Sequence, residues 1–125
     1  MALRSTVVFL LACSVMALPA IAADDAGARL FKNHCGTCHS IDPAATPRQG
    51  PNLHGMLQRK AGTLEGYKYS PGLKAAGWQW SAEQLDLWLT DAKALVPDTL
   101  MSTYRQKDPD KRKVIIDYLI ANTQK

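Results

Sequence analysis

The sequence CGTCH at positions 35–39 constrains this chain more than any other stretch, because it places two thiols and an imidazole within a few residues. Three kinds of site use such a cluster: a disulfide redox pair, part of a zinc site, and covalent attachment of a haem. Each of them needs different surroundings in the rest of the chain. The other sequence features therefore have to discriminate among the three.

Residues 1–23 are typical of a secretory signal peptide. One early positive charge, Arg4, precedes the apolar run TVVFLLACSVMAL, and the small residues AIAA close the segment. The apolar run is shorter than the roughly 20 residues of a membrane-spanning helix, and the small residues suit signal peptidase. We therefore expect cleavage near Ala22 or Ala23 and export to the periplasm. An uncleaved anchor and a lipoprotein modified at Cys13 are the alternatives.

Cleavage would leave one small domain, residues 24–125, which is too short to bury a large core from side chains alone. It would also remove Cys13 and Arg4, the only charged residue of the segment, so the formal net charge would fall from +4 to +3. The basic residues that remain are scattered, whereas nucleic-acid binding needs a dense basic surface. We expect no nucleic-acid partner.

The mature chain shows helix signals and no strand pattern. A first helix is predicted from Asp24 or Asp25 to about Cys35, because acidic residues mark its start. The Gly- and Pro-rich stretch 42–55 is predicted as loop, and a short helical turn is expected after Pro71.

Two further helices have stronger signals. In SAEQLDLWLTDAK, Ser81 and Gln84 form a capping box, and the apolar residues follow at helical spacing. In DPDKRKVIIDYLIANT, Asp108 is the expected cap and Pro109 the first helical residue. The fold class predicted is all-α, with helices and loops around one bound group.

The surroundings favour haem attachment for the CGTCH motif. A tetrahedral zinc site needs four ligands, and the mature chain offers only Cys35, Cys38 and three histidines, with no second Cys-x-x-Cys pair. A thioredoxin-like redox pair would need a βαβ pattern, which is also missing. Attachment of haem uses both thiols on the vinyl groups of the porphyrin and leaves His39 placed to coordinate iron.

Iron held by His39 alone would have an open sixth position. The other candidate ligands on the mature chain are Met56, Met101, His34 and His54. His34 is tethered beside the haem motif, and Met56 and His54 follow that motif closely. Met101 lies in the irregular stretch LVPDTLMS between two helices, where a loop can cover the other haem face. We therefore expect Met101 to be the sixth ligand.

The whole of residues 24–125 resembles a class I cytochrome c of the short bacterial or mitochondrial type. The resemblance is carried by CGTCH, by GPNLHG at 50–55, by GYKYSPGLKAAGWQW, by the loop VPDTLM, and by a terminal helix that contains an aromatic residue. It implies that Cys35 and Cys38 hold one haem c through two thioethers, and that His39 and Met101 are the axial ligands. It also implies that the Pro51 carbonyl accepts a hydrogen bond from the ligand histidine.

The same resemblance implies a set of side chains around the haem propionates. Arg59, Tyr69 and Trp80 match positions around one propionate, and Thr99 matches a hydroxyl near the other. A buried carboxylate needs such donors because its desolvation is costly. The alternative is that Tyr69 and Trp80 are only core aromatics.

Further family positions concern packing and docking. Gly27, Phe31 and Tyr118 match the crossing of the first and last helices. Asp98 and Leu100 depart from the common loop pattern, where glycine and lysine are usual, so the backbone freedom of a glycine is lost at position 98. The basic residues that match the family's docking surface are Arg29, Arg48, Lys93 and Lys107, whereas the neighbouring Asp108 is acidic.

By this resemblance the protein is expected to be a periplasmic, monomeric one-electron carrier between membrane or soluble oxidoreductases, and not an enzyme. Two alternatives stay open on the residues alone. One is a haem protein that binds or senses ligands because Met101 is off the iron. The other is a fixed haem subunit of a larger oxidoreductase complex.

Overall fold

The computed structural model describes residues 21–124, and residues 1–20 of the predicted signal peptide lie outside this range. Within residues 21–124, four α-helices follow one another: α1 (Ile21–His34), α2 (Pro71–Ala75), α3 (Ala82–Leu95) and α4 (Pro109–Asn122). A short 3-10 turn lies at Met56–Gln58, and the one extended pairing in the described part of the chain is a bridge between Lys60 and Gln79. The predicted all-α fold is confirmed.

The predicted caps are found where the sequence places them. The Ser81 hydroxyl accepts the Gln84 backbone N–H at 3.2 Å and starts α3. The Asp108 carboxylate accepts the backbone N–H groups of Asp110 (3.0 Å) and Lys111 (3.3 Å) and starts α4. These side chains satisfy amide groups that the first turn of a helix leaves without intrahelical partners.

Two helix features differ from the sequence expectation. α1 begins at Ile21, ahead of the expected start at Asp24 or Asp25, because the alanines of this stretch favour helical backbone. α3 is kinked at Asp91, which has extended backbone angles (φ −162°, ψ 92°). The Asp91 carboxylate accepts the N–H groups of Lys93 and Ala94 and pairs with Arg105 at 3.0 Å, so it starts a new turn inside the helix.

The core lies where α1 and α3 pack on α4. A Cβ atom at Gly27 would lie 2.6 Å from the Cβ of Tyr118, so only glycine allows α1 and α4 to approach this closely. The rings of Phe31 and Tyr118 pack beside this crossing at 5.7 Å between centroids. Ile115 on α4 is completely buried. Within residues 21–124, no helix has the length and apolar character needed to cross a membrane.

Candidate functional site

A cleft with about 1320 Å³ of empty space, part of it open to solvent, runs between the loops and α3. Every side chain predicted as a site residue lines this cleft, and they come from segments far apart in sequence: Cys35, Cys38, His39, Pro51, Arg59, Tyr69, Trp80, Thr99 and Met101. The fold thus brings all the predicted site residues together around one space.

The two thiols lie on a helical turn that continues α1. The backbone N–H groups of Cys38 and His39 donate to the Cys35 carbonyl at 3.1 and 2.9 Å. Residues three and four apart share one side of such a turn. Both cysteines are free thiols. Burial, with a smaller contribution from Cys38, raises the pKa of Cys35 to about 12, so this thiol is protonated in the folded chain.

The orientation of His39 is fixed by one hydrogen bond. Its Nδ1 lies 2.8 Å from the Pro51 carbonyl oxygen. Because a carbonyl can only accept, Nδ1 carries the proton, and Nε2 is left as the nitrogen with a free lone pair. Burial lowers the pKa of His39, and the bond to Pro51 opposes this shift. The imidazole is therefore neutral, which is the form that binds metals.

Gly50 packs against the face of this imidazole. A Cβ atom at position 50 would lie 2.6 Å from His39 Nδ1 and 2.8 Å from Nε2, which real Cβ contacts essentially never show. The Gly50 N–H also donates to the Cys38 carbonyl at 2.8 Å. The role of Gly50 is missed by the sequence analysis, where it is only part of a turn, because the contact with His39 is not visible in the pattern.

The loop that carries Pro51 is braced by Asn52, a second residue that the sequence analysis misses. Its side-chain amide donates to the carbonyls of Asp42 (2.7 Å) and Ala45 (3.0 Å), and its Oδ1 accepts the His54 N–H at 2.8 Å. The asparagine of GPNLHG therefore holds stretch 42–54 in one conformation, which keeps the Pro51 carbonyl in place.

Arg59 brings a positive charge to the cleft. Its guanidinium donates to the carbonyls of Asn52 and His54, each at 2.6 Å, so it keeps three of its five N–H donors for another partner. Burial lowers the pKa of Arg59, while the nearby Tyr69 acts in the opposite direction. Burial raises the pKa of Tyr69, and the Arg59 charge lowers it. Both groups keep their ordinary ionisation at neutral pH.

Three tryptophans form a cluster beside the cleft. The ring of Trp80 lies 5.5 Å from that of Trp88 and 6.1 Å from that of Trp78, each in an edge-to-face arrangement. Trp80 and Trp88 both line the cleft. Trp80 thus packs against the other two tryptophans and also lines the cleft.

Met101 reaches the cleft on the segment that follows α3. Its sulfur accepts the indole N–H of Trp88 at 3.2 Å, and its backbone N–H donates to the Thr99 hydroxyl at 3.2 Å. The helical spacing of α3 predicts Trp88 as a core residue, and it is buried, but its contact with Met101 spans two separate segments and has no sequence signal. Trp88 is therefore a further site residue that the sequence analysis misses.

The loop tolerates aspartate at position 98 because it does not need a left-handed residue there. No residue other than glycine has a positive φ in the described part of the chain. The Thr99 N–H donates to the Val96 carbonyl at 3.0 Å and closes a turn with Pro97 at its second position, which proline favours. The expected loss of glycine freedom therefore has no structural cost.

Among the other candidate ligands, Met56 and His34 also line the cleft, whereas His54 does not. Met56 is only 4 % exposed and belongs to the hydrophobic core. The described residues contain no group of three or more His, Cys, Asp or Glu side chains that could hold a metal ion. The zinc alternative therefore has no ligand set in this part of the chain.

The donors around the cleft fit a covalently attached haem. Two free thiols on one turn match the two vinyl groups, a neutral imidazole with its Nδ1 already bonded presents Nε2, and a thioether comes from a separate loop. The arginine with unused N–H donors suits a carboxylate.

Comparison with known proteins agrees with this fit. The family model described as Cytochrome c matches residues 25–121. The chain is 41% identical over 112 residues to cytochrome c2 of Blastochloris viridis, covering 89% of this chain and 86% of that protein. It is 39% identical over 94 residues to cytochrome c of Ginkgo biloba, covering 75% of this chain and 83% of the relative. It is 36% identical over 98 residues to cytochrome c of Gibberella zeae, covering 78% of this chain and 92% of that protein.

The family match and the geometry of the cleft lead to the same conclusion about the bound group and the role of the chain. Members of this family are monohaem electron carriers that act with redox partner proteins. The chain belongs to the cytochrome c family, as a small class I cytochrome with one covalently bound haem c.

Proposed function

We propose that His39 and Met101 are the two axial ligands of the haem iron, with Cys35 and Cys38 as its thioether attachments. The observation that carries this proposal is the hydrogen bond from His39 Nδ1 to the Pro51 carbonyl at 2.8 Å, which leaves Nε2 for the iron. Met101 supports it from a separate loop, because this residue lines the same cleft.

The bound haem supplies a one-electron Fe(III)/Fe(II) couple. Pro51 holds the His39 ring in one tautomer and orientation, which supports its basicity as a ligand. The soft sulfur of Met101 favours the ferrous state and gives a higher potential than a second histidine would. If both positions on the iron were held by His39 and Met101, no substrate would have access to the metal. We therefore infer an electron carrier and not an enzyme.

Arg59, Tyr69, Trp80 and Thr99 are proposed to surround the haem propionates. Arg59 has unused N–H donors beside Tyr69, and the Thr99 hydroxyl accepts the Met101 N–H, which leaves its own proton to donate. Charge and hydrogen bonds of this kind offset the cost of holding a carboxylate away from water.

The proposed partners are oxidoreductases that give and take one electron, bound transiently by a monomeric carrier. The four basic residues at family docking positions are all exposed: Arg29, Arg48, Lys93 and Lys107. Exposed positive charge steers association with an acidic surface and weakens as salt is added. Leu100, 69 % exposed, replaces one usual lysine beside Met101, so the steering is weaker than with the full set.

We also propose that residues 1–23 are a cleaved signal peptide, that residues 24–125 form the mature domain, and that this domain works in the periplasm. The composition of residues 1–23 beside a haem motif supports this. Expressed from a start codon placed before Asp24, the chain should stay in the cytoplasm and lack covalent haem. Haem staining of a denaturing gel tests this, and covalent haem in that product would contradict the compartment.

The absorption spectrum of the oxidised holoprotein, together with voltammetry, tests the proposed function. We expect a methionine–iron charge-transfer band near the red end of the visible range and a reversible one-electron wave. A spectrum without that band, and rapid binding of carbon monoxide to the reduced protein, would favour the ligand-binding alternative. Elution of the native protein from gel filtration within a large complex would favour the fixed-subunit alternative.

A further inference from the structure

The carboxylate of Asp98 joins the loop that carries Met101 to the start of α2. Its Oδ2 accepts the backbone N–H of Gly72 at 2.9 Å, across 26 positions in the sequence. Thr99 and Met101 line the cleft on one of these segments, and Ser70 and Leu73 line it on the other. The contact therefore links two segments that border the haem cleft.

Gly72 makes room for this carboxylate. A Cβ atom at position 72 would overlap Asp98 Oδ1 and would lie 3.0 Å from both Asp98 Cγ and Val96 Cγ1. The backbone at Gly72 does not have a positive φ, so the residue is not required for its conformational freedom. What the position requires is the absence of a side chain.

Asp98 also completes the first turn of α2. Pro71 has no N–H, and the Leu73 N–H donates to the Ser70 hydroxyl at 3.3 Å. The Gly72 N–H is the remaining donor of that turn, and Asp98 accepts it. Amide groups in the first turn of a helix have no intrahelical partner, so this bond satisfies a group that would otherwise depend on water.

The tie can act on Met101 because the intervening chain is stiff. Asp98 lies inside the turn closed by the bond from the Thr99 N–H to the Val96 carbonyl. The residue before it, Pro97, has its own φ angle fixed by the proline ring. The next contact along the chain is the bond from the Met101 N–H to the Thr99 hydroxyl. Anchoring Asp98 therefore restricts how far Met101 can move.

We propose that Asp98 is a positioning residue whose bond to Gly72 holds the Met101 loop closed over the cleft. The proposal rests on the proposed ligation of iron by Met101. The bond lowers the fraction of molecules in which Met101 has left the metal. Glycine is usual in the family at position 98. The aspartate found there accepts a hydrogen bond from Gly72, where the lack of a side chain makes room for the carboxylate.

Imidazole binding to the ferric holoprotein tests this. Imidazole reaches the iron only when Met101 is off, so its apparent affinity is proportional to the population of the open state. Loss of one hydrogen bond should raise that affinity about two- to tenfold in Asp98→Ala. Asp98→Asn, which keeps a side-chain oxygen as acceptor, should give a smaller increase.

Gly72→Ala tests the same contact from the other side. Alanine favours the helix more than glycine does, so helix propensity alone would tighten α2. We nevertheless expect stronger imidazole binding, because the new Cβ displaces the carboxylate. Asp117→Ala is the matched control: Asp117 is an exposed aspartate that pairs with Lys113 at 2.6 Å on α4, and its loss should leave imidazole binding unchanged.

Hydrogen exchange of the Gly72 amide reports on the bond itself. It should become faster in Asp98→Ala and stay unchanged in Asp117→Ala. Unchanged imidazole affinity in both Asp98→Ala and Gly72→Ala, in a protein whose wild type shows the methionine–iron band, would overturn the positioning role and leave the proposed function intact. A wild type without that band would overturn both.

Discussion

Residues 35–55, which carry His39, are tied to one another by both backbone and side-chain hydrogen bonds, whereas residues 96–107, which carry Met101, are tied to other parts of the chain mainly by side chains. In the first segment the N–H groups of Gly50 and Leu53 donate to the carbonyls of Cys38 and Ser40, each at 2.8 Å. We call residues 35–55 the proximal segment and residues 96–107 the distal segment.

The distal segment has two backbone bonds to α3, from the Val96 N–H to the Ala92 carbonyl at 2.9 Å and from the Gln106 N–H to the Leu89 carbonyl at 2.8 Å. Its other links to the helices are made by side chains. They include the contacts of Trp88 with Met101, Asp98 with Gly72 and Arg105 with Asp91, and the Arg112 guanidinium donates to the carbonyls of Gln106 and Lys107. Single substitutions can remove such contacts without disturbing the backbone elsewhere. Changes in the proximal segment should therefore affect folding and haem binding, and changes around the distal segment should affect mainly the sixth ligand.

The largest effect is expected from removing both thiols of the proximal segment. In Cys35→Ala with Cys38→Ala, the haem is not attached, and the cleft is left without the group that would complete its apolar core. A domain of this size has only about 5–15 kcal/mol of stability to lose. Circular dichroism should show a largely unfolded chain. Native-like helix content with a cooperative melt would contradict this prediction.

Met101→Ala should have the largest effect among distal changes. It should open the iron to water, remove the charge-transfer band, lower the potential, and allow carbon monoxide binding or weak peroxidase activity. Met56→Ala is the control: it should cost about 2–5 kcal/mol of stability, because Met56 is buried, but it should keep the band and the potential. Loss of the band in Met56→Ala, with the wild-type spectrum kept in Met101→Ala, would reverse the ligand assignment.

Gly50→Ala should disturb the proximal segment by a steric route. The added Cβ meets the His39 ring, so we expect a loss of about 1–3 kcal/mol in the free energy of unfolding and a changed His39 ring signal by NMR. Gly66→Ala is the control, because it distinguishes the effect of the steric contact from the effect of backbone strain. Gly66 has φ +77° and no atom within 4 Å of an added Cβ, so its substitution should cost stability and leave the His39 signal alone. An unchanged ring signal in Gly50→Ala would argue against the packing.

The smallest effect is expected from Trp88→Phe, which keeps an aromatic ring and removes the hydrogen bond to the Met101 sulfur. A sulfur without this bond donates more strongly to ferric iron, so the reduction potential should fall. The expected fall is about 20–60 mV, which is the usual net free energy of one hydrogen bond expressed as a one-electron potential. Trp78→Phe is the control, because the buried indole N–H of Trp78 has no hydrogen-bond partner among residues 21–124. Equal shifts in both variants would show that the bond has no special role.

In the proximal segment, the contact of His39 with Pro51 is predictable from the sequence because its signals are local, whereas the roles of Gly50 and Asn52 are not. The thiols, His39 and the turn with Pro51 lie close together in the chain, and the caps Ser81 and Asp108 sit beside the amide groups that they satisfy. A pattern within one short stretch is enough to predict such contacts.

Around the distal segment, the contacts that the sequence does not predict join residues far apart. The contact of Trp88 with Met101 and that of Asp98 with Gly72 become visible only when the loops are placed against the helices. The kink at Asp91 depends on Arg105, which lies in the distal segment. Helix periodicity carries no information about a partner in another segment.

The most direct test of the proposed His39–Met101 site is NMR of the reduced holoprotein labelled with ¹³C in its methionine methyl groups. Cleavage after Ala23 would leave only Met56 and Met101, so two methyl signals are expected. One of them should be shifted far upfield by the porphyrin ring current, should vanish in Met101→Leu, and should persist in Met56→Leu. A shifted signal that vanishes in Met56→Leu, or the absence of any shifted methyl, would contradict the account.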